Sequence, residues 1–212
     1  MNPGTLRLLH LREQTEAAGE TLASERGRFG ALADPASAPR IVSAFNLFQT
    51  PPELADRMMG YLLTYISPGD RILEPSAGLG RLYLALRTEH AGPVVMVEQS
   101  PECCRELYDM TNDDYATKLI QGDFLTKTAE DLGGRFDGIL MNPPFKQWRD
   151  IKHIDHARKL LRPGGRLVAL CANGPRQQAK LTSHATAWID LPAQSFASEG
   201  TNVETAIVII DA

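Results

Sequence analysis

The stretch RILEPSAGLGRLYLAL, residues 71–86, decides the fold. A short apolar run, Arg71–Glu74, stops at a proline. A turn carrying Gly78 and Gly80 follows, and then a helix-length segment, Leu79–Glu89. Strand, glycine turn and helix in that order form the opening unit of an open α/β sheet, whose ligands bind at the carboxyl ends of the strands. Glycine there lets the backbone turn sharply and approach a ligand closely. The dinucleotide fingerprint would need a third glycine where this chain has Tyr83, which argues against a nicotinamide dinucleotide.

Outward from that unit, short apolar runs alternate with helical segments, the pattern of a parallel sheet. The expected strands are Arg71–Glu74, Val94–Glu98, Lys118–Gln121, Asp137–Met141, Arg166–Cys171, Trp188–Leu191 and Val203–Ile210. After Pro51-Pro52, the residues Leu54, Met58, Tyr61, Leu62 and Tyr65 fall at near-helical spacing, with proline suited to a first turn. Pro101–Met110 and Asp150–Leu161 read as further helices, the last stopped by Arg162-Pro163-Gly164-Gly165. Only the turn-rich Gln194–Asn202 separates the last two strands, so the final strand is expected to return antiparallel. The fold class is therefore α/β: a doubly wound, mostly parallel seven-stranded sheet with an antiparallel last strand.

The chain has 212 residues, 43% hydrophobic and 23% charged, which suits one globular domain. Residues 41–212 form that domain. Residues 1–40 read as a helical arm that ends in the linker Asp34-Pro35-Ala36-Ser37-Ala38-Pro39. The longest apolar runs, such as Ala206–Ile210, fall far short of a membrane span, and the start lacks a signal-like apolar core, so a cytoplasmic setting is expected. Adjacent Cys103 and Cys104 with distant Cys171 read as reduced thiols. His153 and His156 have no partner at metal-ligand spacing, and no metal is expected. The formal charge is -4, yet Asn142–Thr182 carries nine basic residues against Asp150 and Asp155. A one-sided basic patch is the footprint of a phosphate-backbone binder.

The strand ends carry the chemistry. Glu98 closes the second strand, where a carboxylate accepts hydrogen bonds from a ribose diol. Asp123 and Phe124 follow the third, as an acceptor for an exocyclic amine and an apolar wall for a purine. The fourth strand, FDGILMNPPF, stops at Asn142-Pro143-Pro144-Phe145. Two prolines cannot continue a ladder and they stiffen the turn, which fixes the Asn142 amide and the Pro143 carbonyl at the sheet edge. Beside them Phe145 offers a stacking plate. Such a cradle suits an sp² amino group that must donate both hydrogens and free its lone pair.

On these residues the sequence resembles the class I S-adenosylmethionine-dependent methyltransferases, in particular the NPPF-type amino-methyltransferases of adenine in DNA. The resemblance covers roughly residues 41–212 and implies a Rossmann-like methyltransferase fold. Glu74, Pro75, Ser76, Ala77, Gly78 and Gly80 of LEPSAGLG are similar to the family's methionine-binding loop. Glu98 with Gln99 would hold the ribose, and Asp123-Phe124 the cofactor's adenine. Phe48, Gln49, Thr50 and Pro51 resemble a further cofactor segment that closes over the methionine moiety. Asn142, Pro143, Pro144 and Phe145 would be catalytic, with Asn142 also touching cofactor. Lys146, Arg149, Lys152 and Arg176 would bind nucleic acid, most directly DNA. Such enzymes usually carry a target-recognition region, and no room for one remains after the last strand, so a separate recognition partner is expected. The same cradle also serves RNA and protein-glutamine methylation. A scaffold that keeps the fold without activity is the reading the intact NPPF argues against.

Overall fold

The computed structural model describes residues 49–193, 195–196 and 203–212. The expected arm and linker, and Phe48, lie outside them.

Helix α1 spans Pro52–Leu63 and starts as proline prescribes, with Pro52 in its first turn and Glu53 beside it. Its Leu54, Ala55, Met58 and Leu62 form one buried face. Strand β1 is short, Ile72–Glu74. Helix α2, Arg81–Arg87, begins from Gly80, whose φ of 76° is left-handed. Strand β2 is Val94–Glu98. Helix α3, Pro101–Thr111, is capped by Ser100, whose hydroxyl accepts from the Cys103 amide at 3.3 Å. Strands β3, Thr117–Gln121, and β4, Phe136–Met141, precede helix α4, Arg149–Ala157. Strand β5, Leu161–Ala172, helix α5, Pro175–Leu181, and strands β6, Ala187–Asp190, and β7, Thr205–Asp211, complete the chain.

The seven strands pair in the order β3-β2-β1-β4-β5-β7-β6. All run parallel except β7, which is antiparallel to both β5 and β6. This is the doubly wound, mostly parallel sheet expected from the sequence. The chain winds outward from β1 to β3, then resumes on the other side at β4, so the topological switch point lies between β1 and β4.

Both faces of the sheet are covered, and alternation along each strand supplies the two cores. Ile72, Val94, Met96, Leu140, Val168 and Ile207 pack with α1 and α2. Leu73, Val95, Ile139, Leu167 and Val208 face the opposite way, against Phe124 and α4. In the parallel ladder Glu74 is level with Met96 of β2, and Leu73 with Ile139 of β4.

The largest departure from the expected boundaries lies just before β5. The fourth helix ends at Ala157 and passes through a tight 3-10 turn, Arg158–Leu160, directly into β5. Pro163-Gly164-Gly165 therefore does not stop a helix but forms a bulge inside the strand. Leu161 pairs with Phe136, and the next pair is Gly138 with Arg166. Gly164 has a φ of +78°, and a Cβ on Gly165 would stand 2.8 Å from the Asp137 carbonyl oxygen. Glycine is needed there because the bulged chain folds back against β4.

Candidate active site

The carboxyl ends of β1, β2, β3 and β4 surround a cavity of about 340 Å³. That is a common size for a small-molecule site, and its place is the switch point. The β1 loop contributes Glu74, Pro75, Ser76, Ala77 and Gly78 to its lining; β2 contributes Glu98 and Gln99. Asp123 and Phe124 come from the β3 end, the four residues Asn142 to Phe145 from the β4 end, and Gln49 and Thr50 from the segment before α1. Residues spread over nearly a hundred positions are thus brought to one cavity.

Glu98 ties two loops together. Its Oε2 accepts from the Gly78 amide and its Oε1 from the Ser100 amide, each at 2.7 Å. Asp123 accepts from the Leu125 amide at 3.0 Å, and the Arg149 guanidinium lies 3.8 Å from its Oδ1. Glu74, on the cavity floor, is buried, and its Oε2 has no hydrogen-bond partner. Burial, reinforced by the Glu98 charge, raises its carboxyl well above the ordinary carboxylate range.

Asn142 donates from Nδ2 to the buried Thr50 hydroxyl at 3.1 Å, which turns the oxygen end of its carboxamide away from Thr50. Gln49 accepts from Arg81 Nε at 2.7 Å, so two adjacent residues tie the segment before α1 to the start of α2 and to the end of β4. Phe145 meets Phe196 edge to face, with ring centroids 6.2 Å apart.

Arg81, Ser100 and His153 line the cavity without having been expected there. His153 stands one helical turn after Arg149 on α4, and that i,i+4 spacing was the available signal. It is 3% exposed; its Nδ1 is 3.3 Å from the Ser76 hydroxyl and its Nε2 has no partner. Burial, with Arg149 nearby, lowers its pKa from 6.5 to about 4. His153 and His156 both pack against Phe124, with centroids 5.6 and 4.8 Å from it.

Several expected site residues lie elsewhere. Gly80 is behind the cavity wall, where a Cβ would meet Leu107 and Met110 at 3.0 Å, so its smallness serves the packing of α2 on α3. Pro51 accepts from the Leu54 and Ala55 amides and opens α1. Lys146, Lys152 and Arg176 are exposed outside the cavity, whereas Arg149 lines it.

The cationic stretch is partly dissolved by folding. Arg162 pairs with Asp137 at 2.8 Å, Arg166 with Asp211 at 2.7 Å and Arg158 with Asp155 at 3.1 Å. Arg162 and Arg166 sit near the amino ends of the strands, away from the cavity. Among the described residues no ion pair engages Lys146, Lys152, Arg176 or Lys180.

Residues 56–187 match the family described as methyltransferase small domain. The chain belongs to that methyltransferase family. This methyltransferase superposes on TrmN from Thermus thermophilus with a TM-score of 0.61 and 18% identity, covering 76% of this chain and 48% of that one. The chain thus spans about half the length of TrmN. It matches the N-methyltransferase NodS from Bradyrhizobium japonicum with a TM-score of 0.59 and 16% identity, covering 75% of this chain and 94% of that one. An RNA methyltransferase from Salinibacter ruber, in complex with S-adenosyl-L-homocysteine, gives a TM-score of 0.56 and 16% identity over 77% of this chain and 92% of that one. These likenesses establish the class I methyltransferase fold. No curated protein sequence matches the chain.

The cavity fits S-adenosylmethionine as the methyl donor. An unpartnered carboxyl oxygen on the floor and the Glu98 and Asp123 carboxyls on one side suit a cation that carries ribose and amino groups. Phe124 gives that side an apolar surface. Among the described residues no cluster of His, Cys, Asp or Glu is placed to hold a metal ion, and no helix is long and apolar enough to cross a membrane.

Proposed function

We propose that this methyltransferase transfers a methyl group to the exocyclic amino nitrogen of adenine in DNA. The observation that carries the reading is the Asn142–Phe145 turn, which borders the cavity with its amide oriented by Thr50 and its ring braced by Phe196.

Gly78 and its neighbours in the β1 loop, Glu98 with Gln99, and Asp123 with Phe124 would hold S-adenosylmethionine, with Gln49 and Thr50 closing the opposite side. When bound, the cofactor supplies an electrophilic methyl group on a sulfonium. The chain's own residues then position the acceptor. The Asn142 carboxamide oxygen and the Pro143 carbonyl accept the two N–H bonds of the amine, which draws its lone pair out of conjugation and aims it at the methyl. Phe145 stacks on the base, which must be extruded from a duplex to reach it. The amine is neutral, so no base is needed before attack. A nitrogen–carbon bond forms as the carbon–sulfur bond breaks, and the extra proton then passes to water. Rate comes from orientation and from the fixed polar cradle.

Lys146, Lys152 and Arg176 would hold phosphates, and a partner chain would supply sequence recognition. Arg149 serves the cavity wall through Asp123, so charge reversal there would disturb the cofactor pocket as well.

Labelled-methyl transfer offered in parallel to DNA, RNA and lysate protein tests the reading. Label in N6-methyladenine of DNA is expected, and Asn142→Ala should lower turnover by about 10²-fold or more while cofactor binding persists. Label in RNA or in protein glutamine alone would refute the DNA assignment, and near-normal activity of Asn142→Ala would refute the cradle.

A further inference from the structure

Three residues beyond Phe145 the chain does something the methyl-transfer chemistry does not require. Gln147 and Trp148 have φ values of 55° and 58°, and they are the positive-φ non-glycine residues of the described chain. Two large side chains in succession in the left-handed region store strain, and such strain persists where the surroundings impose it, often at functional sites. The strain mounts the Trp148 ring in solvent, 54% exposed, at the start of α4.

A cation covers the ring: the Arg176 guanidinium lies 3.6 Å from its centroid. Arg176 is not a loosely tethered surface residue. Its neighbour Gln177 is buried and donates from Nε2 to Asp150 at 3.0 Å, and the same fully buried Asp150 carboxylate accepts from the Ala172 amide at 3.1 Å. Asp150 is two residues after Trp148, so α4 and α5 are locked together at the point where ring and guanidinium meet. The stacked guanidinium keeps its N–H edge for a phosphate. The neighbouring cations Lys146, Lys152 and Lys180 are exposed and lack ion-pair partners among the described residues. An exposed aromatic plate beside unneutralised cations is the surface that binds unpaired nucleotides.

We infer that Trp148 and Arg176 form a stacking step for the nucleotide adjacent to the target base, the unpaired nucleobase lying on the face of the Trp148 ring opposite the guanidinium and its phosphate on Arg176. This rests on the nucleic-acid reading proposed above. It assigns the step a job the cradle cannot do, which is to hold the strand once the target has left its stack. A clamp between α4 and α5 with no ligand is the competing account.

Short single-stranded oligonucleotides containing adenine, one DNA and one RNA, are titrated in the presence of S-adenosylhomocysteine. Tryptophan emission should be quenched in the wild type and much less in Trp148→Phe, in which only Trp188 emits. Trp148→Ala should bind about tenfold more weakly, the order expected for one lost stack, while Trp148→Phe stays within about threefold. Arg176→Gln should lower the slope of log affinity against log salt by about one phosphate contact, and Trp148→Ala should leave it unchanged. Unchanged cofactor affinity by calorimetry verifies that each variant is folded. Oligonucleotide binding by Trp148→Ala equal to wild type, or equal loss in the Phe and Ala variants, overturns the stacking step and leaves the nucleic-acid reading standing. No oligonucleotide binding by the wild type overturns that reading, and the step falls with it.

Discussion

Replacing His153 with glutamine should flatten the acid sensitivity of the fold. His153 is almost wholly buried, packed between Ser76 and Phe124 with Arg149, Asp123 and His156 around it, and its pKa is lowered to about 4. In the unfolded chain the imidazole titrates near 6.5. Between those two values the unfolded state therefore binds more protons than the folded one, and stability rises with pH. The contribution is complete above about 6.5 and is lost as pH falls toward 4. Each pH step of one over which the two states differ by a full proton changes stability by about 1.4 kcal/mol, so from pH 7 to pH 4.5 this one group should remove about 2 kcal/mol. For a chain of this size that corresponds to a melting-temperature drop of roughly 4–8 °C. His153→Gln has no such proton to take up, so its drop over the same interval should be smaller by that amount. Glu74, raised rather than lowered, acts in the opposite direction as pH changes, but it is common to both proteins and cancels in the difference. Thermal unfolding of the two proteins at matched ionic strength gives the comparison. Parallel curves of melting temperature against pH would refute the assignment of a buried, neutral His153.

Other substitutions probe the frame and the pocket. Asp150→Ala strands the Gln177 amide and the Ala172 N–H and should cost roughly 3 kcal/mol in urea unfolding; a loss under about 1 kcal/mol would show that the α4–α5 lock is weak. Gly165→Ala places a methyl 2.8 to 3.1 Å from three backbone carbonyl oxygens and should cost about 2 kcal/mol or more, so wild-type stability would mean that the β5 bulge is soft. Asp123→Ala should weaken S-adenosylhomocysteine binding by about tenfold in calorimetry, the loss of one hydrogen bond to a charged group; an unchanged affinity refutes the adenine contact. We propose finally that residues 1–40 form a separable arm: a chain starting at Arg40 should fold and bind cofactor, and wholesale aggregation would show the opposite.

What the sequence made legible is local. The strand ends at Glu74, Glu98, Asp123 and Asn142 could be read because an apolar run that stops at a polar or proline residue marks its own end, and an open parallel sheet gathers such ends on one edge. The antiparallel β7 was legible from the missing helix before it. The illegible features are long-range pairings. Nothing near Arg162 or Arg166 announces Asp137 or Asp211, so a stretch that is cationic in sequence is partly neutral in space. The bond from Asn142 to Thr50 spans 92 positions, and Phe196 reaches Phe145 from a turn-rich segment with no periodicity to mark it. Pro163-Gly164-Gly165 carries the same residues whether it ends a helix or bulges a strand; the 3-10 turn just before it made the difference.

The shortness of β1 has a consequence for the cavity itself. Strand β2 continues two residues past the level of Glu74, to Glu98, and on the other side Asn142 stands two residues past Leu140, the position level with Glu74. At about 3.3 Å per residue the central strand is missing roughly 7 Å of its length, and its two neighbours, two strand spacings apart, leave a gap about 10 Å wide. The cavity is thus a notch cut from the sheet by a difference in strand length. Its floor is the last residue of the short strand, and Glu98 and Asn142 face each other across it at the same height. Depth is then a matter of counting residues rather than of choosing side chains: one residue added to β1 would raise the floor by a single pleat while every lining group on the flanking strands kept its place.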